Sequence, residues 1–209
     1  MEAEAYAALV SALRAVPATA CPLFRALART FAVPEDTIKS IYGQEWQYQI
    51  KSQHSTLLLK LPALVDRFRK DSVSGPAGDA ARAAVGVEHE RQLYERLNAA
   101  GIAYWPEDVL RDRGFFKTPD ALLQVPIAVN GAVVHWIDSK ATFGDSLMHR
   151  TQLAEQYELY THRFGRGMVI YWFGFVQGLD KREGVLVTDR FPDASAILQL
   201  QSLDLAEEP

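Results

Sequence analysis

The sequence predicts an α/β protein in which an all-α module precedes a domain of mixed helices and strands. Apolar residues repeat with a helical period through most of the first 70 residues. From residue 121 onward the apolar runs are short and strand-like, and Asn130-Gly131 is a two-residue turn signal between two of them. A small, polar run over 72–78 separates the two regions. We therefore expect a helical module over 1–71, a linker over 72–78, an α/β domain over 79–198 and a loosely held tail over 199–209.

Composition points to an intracellular protein, in the nucleus or the cytoplasm, that does not associate with a membrane. The 209 residues are 48% hydrophobic, enough for a full core and one small accessory domain. The single cysteine, Cys21, excludes an intramolecular disulfide and suits a reducing compartment. The longest strongly apolar run, Met168 to Val176, has the length of a strand and is too short to span a bilayer. The N-terminus is acidic and lacks the basic segment of a signal peptide.

The negative net charge argues against strong electrostatic binding of nucleic acid. The formal charge is −4, and it is distributed unevenly, since residues 1–75 hold nine Lys and Arg against seven Asp and Glu. The remainder is correspondingly more acidic. We expect weak, salt-sensitive binding of DNA.

Three helical segments are predicted in the N-terminal module, over Tyr6 to Val16, Leu23 to Phe31 and Ile38 to Ile50. The second and third segments, joined by a break at Val33 to Asp36, resemble a helix-turn-helix. In that motif the start of the second helix meets the DNA groove, and the residues there are Thr37, Lys39 and Ser40, with Gln44 one turn later. An ordinary helical bundle or a protein-docking module fits the pattern equally well. Ser52 to Lys70 continues helical, with a break at Pro62.

A longer helix is predicted over Ala80 to Ala100, ended by Gly101. Glu90 lies on the same stripe as Val87 and Tyr94, which predicts an inward-facing carboxylate. Burial of a carboxylate without a cation or hydrogen bonds is costly, so a metal ion or an active-site lysine is expected beside it. The alternative is a boundary glutamate whose aliphatic stem covers apolar surface.

The apolar runs Ala121 to Val129 and Val133 to Ile137, joined by the Asn130-Gly131 turn, predict a β-hairpin, and this hairpin carries the chemistry that the sequence suggests most strongly. Asp120, in Thr118-Pro119-Asp120, begins the first predicted strand, and Asp138 and Lys140 end the second. Two carboxylates can hold a hard divalent cation, Mg²⁺ or Mn²⁺, and an ammonium group beside them can stabilise charge on a phosphoryl oxygen or orient a water. These are the parts of a metal-dependent phosphodiesterase. A solvated charge pair at a strand end is the alternative.

The register of this hairpin determines whether the two aspartates can meet. A two-residue turn at Asn130-Gly131 pairs Ala121 with Lys140 in a regular ladder, and Asp120 then faces the wrong side. One extra residue in either strand restores Asp120 to the face of Asp138. Pro126 cannot donate to the ladder, so we expect a bulge there.

A further helix is predicted over Thr151 to Tyr160, where Gln152, Gln156 and Tyr160 share one face suited to hydrogen-bonding a phosphate, a base or the lysine. Strands are expected over Gly167 to Val176 and Gly184 to Thr188. Asp145 has the position of a helix N-cap. The five histidines lack zinc-ligand spacing and are interpreted as structural or surface residues.

Taken together, Glu90, Asp120, Asp138-x-Lys140 and Gln156-x-x-x-Tyr160 resemble the PD-(D/E)xK nuclease superfamily, whose restriction-endonuclease-like core has the order αβββαβ. Ordered blocks between Gly86 and Pro192 resemble, more narrowly, the codanin-interacting nuclease family: Gly86–Glu90, Lys117–Asp120, Leu123–Pro126, His135–Ala141, Phe143–Asp145, Arg163–Gly165 and Val169–Trp172. Glutamate is expected in the Asp138 position of some members. This chain is shorter than the members before the core, where only Asp71 to Gly86 follows the N-terminal helices.

The resemblance implies a Mg²⁺- or Mn²⁺-dependent DNA endonuclease with catalytic residues Glu90, Asp120, Asp138, Lys140 and Gln156. Glu90, Asp120 and Asp138 would bind the metal, Tyr160 would contact nucleic acid together with the N-terminal residues named above, and a codanin-like protein would be a partner. The alternative is a catalytically weak nuclease-fold adaptor that binds nucleic acid or a protein. A structural subunit of a larger protein is a third interpretation, and it does not exclude activity.

Overall fold

The computed structural model describes residues 1–14, 22–52, 76–179 and 184–199. Its helices are α1 (Ala3–Arg14), α2 (Pro22–Thr30), α3 (Glu35–Ser52), α4 (Pro76–Ala99), α5 (Glu107–Asp112), α6 (Ser146–Gln152) and α7 (Glu158–Phe164). A π-helix (Leu153–Tyr157) joins α6 to α7, and a short 3₁₀ helix covers Ala194–Ala196. The strands are β1 (Tyr104–Pro106), β2 (Ala121–Val129), β3 (Ala132–Lys140), β4 (Gly167–Tyr171), β5 (Val185–Thr188) and β6 (Ile197–Gln199).

The strands form one mixed sheet, which confirms the α/β prediction. Its order is β1-β2-β3-β4-β5, and β6 also pairs with β2. The pairs β1–β2, β2–β3 and β2–β6 are antiparallel, whereas β4 and β5 are parallel. None of the described helices is both long enough and apolar enough to cross a membrane.

The chain divides into two compact units whose segments alternate along the sequence. Unit 1 comprises Met1–His89, Lys140–His149 and Tyr171–Asp180, and unit 2 comprises Glu90–Ser139, Arg150–Ile170 and Lys181–Pro209. The expected boundary at 72–78 differs from this division. Residues 76–78 begin α4, so they are helical and do not form a linker. The rest of that run, the helix predicted up to Lys70, and the tail after residue 199 lie outside the described residues.

The three N-terminal helices form within two to three residues of their predicted bounds, and they bury an apolar core. Leu9, Ile38 and Ile41 are fully buried, and Phe24 packs edge-to-face on Tyr42 at a centroid separation of 5.1 Å. This core uses the apolar residues whose helical period predicted the module.

Among the described residues of unit 2, the largest fully buried side chain is Trp136, which lies where β3 meets β4. The indole nitrogen donates to the carbonyl oxygen of Gly165 at 2.8 Å, and the ring lies over Gly167 so closely that a Cβ there would be 2.0 Å from it. The Tyr157 ring stacks on the same indole ring, and the Tyr160 ring packs edge-to-face against it. A glycine at 167 is therefore required for this packing.

Candidate active site

The β2–β3 hairpin contains an irregularity that changes its register by three residues. Near the turn, Val129 pairs with Ala132, whereas at the far end Ala121 pairs with Ile137. The extra residues lie between Leu122 and Ile127, and this stretch includes Pro126. The prediction of a bulge near the proline is confirmed. Strand side chains alternate between the two faces, so any odd number of extra residues moves the side chains beyond the bulge to the other face. Three extra residues therefore have the effect that was expected of one.

The shifted register places the two aspartates opposite each other. Counting one pair beyond Ala121–Ile137 brings Asp120 to the position facing Asp138, and side chains of opposed residues leave the same face of an antiparallel ladder. A side-chain contact agrees with this placement, since the backbone N–H of Ser139 donates to Oδ2 of Asp120 at 2.6 Å. The Asp138 side chain is 1% exposed.

Lys140 ends the same strand, two residues beyond Asp138. Because strand side chains alternate, Asp138 and Lys140 leave the same face of β3. The Asp138 carboxylate and the Lys140 ammonium group thus leave one face at the end of β3, as the sequence predicted.

Glu90 is joined to Asp120 through a tyrosine that the sequence did not identify as functional. The hydroxyl of Tyr94 lies 2.6 Å from Oε1 of Glu90, to which it donates, and 3.1 Å from the carbonyl oxygen of Asp120. Burial, followed by the hydrogen bond to Glu90 and the charges of Glu90 and Asp120, raises the pKa of Tyr94 above its ordinary value. The hydroxyl therefore remains protonated, and a donor, at neutral pH. The spacing of four residues between Glu90 and Tyr94 on one helix was the available signal.

The buried stripe proposed for α4 is correct only in its second half. Leu93 and Leu97 are fully buried, and Glu90 is half-buried, but Val87 is 67% exposed. Between Ala80 and His89 the side chains of α4 are exposed or half-buried, so the stripe begins at Glu90. Glu90 thus lies at the boundary between the exposed and the buried parts of α4, as in the alternative that the sequence allowed.

Tyr160 is a core residue that supports the Thr118-Pro119-Asp120 turn. Its side chain is 2% exposed, and its hydroxyl donates to the carbonyl oxygen of Thr118 at 2.8 Å. Burial, and then the charges of Asp138 and Asp120, raise the pKa of Tyr160. The direct contact with nucleic acid expected of Tyr160 does not fit this burial, and the side chain instead holds the turn that carries Asp120.

The helix that carries Gln156 does not continue as a regular α-helix. Leu153–Tyr157 is a π-helix, and the N–H of Glu158 bonds to the carbonyl oxygen of Leu153, five residues earlier. Because each residue of a π-turn advances less around the axis, the spacing of four residues no longer keeps Gln152, Gln156 and Tyr160 on one line. Gln156 is half-buried within this segment. Single π-turns inside α-helices occur frequently at functional sites.

The acidic groups do not form a three-ligand cage. Among residues 1–14, 22–52, 76–179 and 184–199, no set of three or more His, Cys, Asp and Glu side chains is close enough together to hold a metal ion. Metal ligation by Glu90, Asp120 and Asp138 stays a prediction. The opposed pair of Asp120 and Asp138 is the part of that set which the hairpin brings together.

The residues expected to contact a DNA groove lie mostly inside unit 1. Thr37 is 3% exposed and donates to the carbonyl oxygen of Phe173, and Ser40 accepts the backbone N–H of Phe143 at 2.9 Å. The amide nitrogen of Gln44 donates to the carbonyl oxygen of Phe143 at 2.7 Å. Thr37, Ser40 and Gln44 do not fit a face that reads a DNA groove, because each is hydrogen-bonded to a part-buried backbone group within unit 1.

Lys39, the fourth of those residues, is on the surface. Its ammonium group pairs with the carboxylates of Glu35 and Asp36 on the same helix turn, at 3.1 and 3.4 Å. The Lys39 side chain is 41% exposed, and its charge is engaged with these acidic neighbours.

Two smaller expectations can be compared with the structure. Oδ1 of Asp145 accepts the backbone N–H groups of Leu147 and Met148, so the N-cap role is confirmed. The ring of His149 is buried and hydrogen-bonded to the hydroxyl of Tyr171 at 3.0 Å, which fits a structural histidine.

Comparison with known proteins agrees with the resemblance found in the sequence. A family model described as "Protein of unknown function TPD sequence-motif" matches residues 63–191, more than half of the chain. CDAN1-interacting nuclease 1 from Xenopus laevis is 46% identical over 130 residues, which are 61% of this chain and 43% of the relative. The Danio rerio protein of that name is 48% identical over 124 residues, 58% of this chain and 41% of the relative, and the Homo sapiens protein is 46% identical over 124 residues, 58% and 44%.

The chain spans less than half the length of these relatives. No solved structure matches it. The matched region of the family model contains the hairpin and Thr118-Pro119-Asp120, the tripeptide after which the family model is named. The chain belongs to the TPD sequence-motif family, and its curated relatives are CDAN1-interacting nucleases.

Proposed function

We propose that this protein is a metal-dependent DNA endonuclease of the PD-(D/E)xK type. The observation that carries the proposal is the three-residue register change in the hairpin, by which Asp120 faces Asp138. Lys140 follows Asp138 by two residues on β3 and leaves the same face of the strand. The element order α4, β1, β2, β3, the α6–α7 helix and β4 has the αβββαβ sequence, with α5 as a short addition. The nuclease names of the relatives support the same class of activity.

The carboxylate pair fits Mg²⁺ in its donor chemistry. Mg²⁺ keeps several of its waters and is held in proteins by one or two carboxylates together with substrate phosphates. Asp120 and Asp138 would supply those two carboxylates, and Glu90 would reach the ion through a water. Mn²⁺, which prefers the same oxygen ligands, would replace Mg²⁺. When bound, the ion would supply a Lewis acid and an acidified water for phosphodiester hydrolysis.

The protein's own groups have separate tasks in this proposal. The Ser139 N–H fixes the Asp120 carboxylate, and the Tyr94 hydroxyl holds Glu90 beside the Asp120 backbone. Lys140 would stabilise the negative charge that develops on the phosphoryl oxygens or orient the attacking water. Gln156 would hydrogen-bond the substrate phosphate or Lys140.

A second candidate is a catalytically weak nuclease-fold adaptor. The observation in its favour is that the relatives are named for a protein partner as well as for a nuclease. The relatives' names state an interaction with CDAN1, so a codanin-like protein is the proposed partner in either case. An intracellular site of action, in the nucleus or the cytoplasm, belongs to the same proposal.

The test is a cleavage assay with the purified chain on single-stranded, duplex, flapped and branched DNA, in Mg²⁺, Mn²⁺ or EDTA. The nuclease proposal expects cleavage with either ion, none in EDTA, and a loss of about a hundredfold or more in Asp138→Asn. Asp112→Asn, which changes an exposed carboxylate on α5, is the matched control and is expected to cleave normally. If wild type and Asp138→Asn show the same rate, or neither cleaves any substrate, the adaptor replaces the nuclease.

A further inference from the structure

An exposed cluster of aromatic rings surrounds one arginine immediately before the Thr118-Pro119-Asp120 turn. Phe115 and Phe116 are 38% and 69% exposed. The guanidinium carbon of Arg163 lies 6.0, 5.2 and 5.4 Å from the ring centroids of Phe115, Phe116 and Phe164. We call these four residues the Arg-Phe platform. These separations are those of cation–π contacts, so the rings and the arginine form one surface.

The loop that contains Phe115 and Phe116 is hydrogen-bonded to α7. Nη1 of Arg163 donates to the carbonyl oxygen of Phe116 at 2.9 Å and to that of Lys117 at 3.3 Å. The Phe115 ring packs edge-to-face on Phe164 at 5.8 Å. The two exposed phenylalanines are therefore held in place by hydrogen bonds from the Arg163 side chain to the loop backbone and by ring packing, although each leaves apolar surface in water.

The two sequence segments that carry the platform are basic, although the chain as a whole is acidic, and Arg111 in the first segment pairs with Glu107 at 2.7 Å. Residues 111–117 and 162–166 hold five Arg and Lys and one Asp, whereas the chain carries a formal charge of −4. At the start of the loop the guanidinium of Arg113 covers the Trp105 ring at 4.7 Å. A single exposed apolar side chain is ordinary on a protein surface, but the platform groups two exposed rings around a cation. Aromatic rings interleaved with arginines are the combination that binds single-stranded nucleic acid, because the bases stack on the rings and the cations attract the backbone.

The platform is close to Asp120 along the chain. Phe116 precedes Asp120 by four residues, so their Cα atoms are at most about 14 Å apart. That distance corresponds to about four base steps of a duplex strand. The bases of an intact duplex already stack on one another, so an exposed ring can stack only on an unpaired or terminal base.

We propose that the Arg-Phe platform is a base-stacking site that selects DNA with an unpaired segment next to the bond to be cut. The preference for a cleavage substrate rests on the proposed nuclease function. The stacking itself does not, because binding can be measured where no cleavage takes place.

The test is fluorescence anisotropy in EDTA with a labelled single-stranded oligonucleotide and a blunt duplex of the same sequence. Phe116→Ala is expected to weaken single-strand binding about tenfold, the scale of one lost base stack, and to change duplex binding by less than about twofold. Phe116→Trp keeps a stacking ring and is expected to bind single strands at least as well as wild type. Leu198→Ala removes an apolar side chain with the same 69% exposure from the same unit, and it is expected to change neither affinity.

Three results would overturn the inference. Equal single-strand affinity of wild type and Phe116→Ala would remove the ring from the binding surface. An equal loss on single strand and duplex would mean that the platform does not distinguish them. Capture of CDAN1 that Phe116→Ala abolishes while single-strand binding is unchanged would assign the platform to a protein partner.

Failure of the nuclease proposal is distinguishable from failure of this one. Single-strand binding that depends on Phe116, in a protein that cleaves nothing, rejects the nuclease and keeps the stacking site. If the protein cleaves DNA with metal but Phe116→Ala binds single strands as well as wild type does, the nuclease proposal stands and the stacking site is rejected.

Discussion

Tyr94 connects two acidic residues that are thirty positions apart in the sequence. Its hydroxyl lies 2.6 Å from Oε1 of Glu90 and 3.1 Å from the carbonyl oxygen of Asp120. Tyr94→Phe keeps the ring and its stacking on Tyr104 but removes this bridge. We expect a loss of about 1–2 kcal/mol in the free energy of unfolding, because the hydrogen bonds of a partly buried group are broken. We also expect a lower cleavage rate, since Glu90 is no longer held in place.

The measurements for Tyr94→Phe are thermal unfolding and the DNA cleavage rate. Tyr104→Phe is the matched control, since it removes a hydroxyl from the ring that stacks on Tyr94 at 5.2 Å. A cleavage rate in Tyr94→Phe equal to that of the control would show that the bridge does not position Glu90 for catalysis.

Lys140 and Lys39 have different roles in this account. Lys140→Ala is expected to lower the cleavage rate of bound DNA by about a hundredfold or more, while DNA affinity changes little, because its contact forms in the transition state. Single-turnover cleavage and anisotropy separate the two quantities. Wild-type cleavage by Lys140→Ala on every DNA form would favour the adaptor.

Lys39→Ala is expected to leave both cleavage and DNA affinity close to wild type. Lys39 pairs with Glu35 and Asp36 on an exposed helix turn, and such pairs contribute little. Its neighbours Thr37 and Ser40 are occupied inside unit 1. A weaker, less salt-dependent affinity in Lys39→Ala would restore the groove-contacting role that the helix-turn-helix pattern suggested.

At the scale of secondary-structure elements, the β3–β4 packing depends on one glycine. A Cβ at position 167 would lie 2.0 Å from the buried Trp136 ring, so Gly167→Ala must displace the ring or the strand. We expect it to lower the free energy of unfolding by about 1–3 kcal/mol, measured by thermal or denaturant unfolding. Gly86→Ala is the control, because nothing lies within 4 Å of a Cβ there and α4 gains helix propensity. A melting temperature of Gly167→Ala at or above that of wild type would contradict the packing described.

Local signals predicted those features that local geometry determines. Asn130 and Gly131 have positive φ angles of 49° and 81°, as the two-residue turn requires, and Gly101 ends α4 with a φ of 66°. The proline predicted that the hairpin ladder would be interrupted. The number of extra residues, three, depends on which side chains each strand buries, and no local signal specifies it.

Other features depended on tertiary contacts and could not be predicted from periodicity. The π-helix at Leu153–Tyr157 changes the face of Gln156 without any residue type that marks it. The helix-turn-helix pattern predicted helices correctly but not their orientation, because Thr37 and Gln44 suit a buried backbone partner as well as a DNA groove. Periodicity placed Glu90 on a stripe but could not show that the stripe begins there.

For the whole molecule, a bound cation is expected to stabilise the folded state. A ligand that binds only the native protein stabilises it by about 2.7 kcal/mol at a hundred times its dissociation constant. Mn²⁺ should therefore raise the melting temperature of wild type and leave that of Asp138→Asn nearly unchanged. Ca²⁺ in place of Mn²⁺ tests whether a larger ion with more ligands fits the same carboxylates. An equal rise in both proteins would place the bound cation elsewhere on the chain.

The most direct test of the two-aspartate metal site is a crystal structure grown with Mn²⁺, in which anomalous scattering locates the ion. We expect one Mn²⁺ between Asp120 and Asp138, with a carboxylate oxygen of each at about 2.1 Å and Glu90 reached through a water. The β2–β3 ladder should retain the register in which Ala121 pairs with Ile137. Mn²⁺ bound away from both aspartates, or Asp120 directed to the opposite face from Asp138, would contradict it.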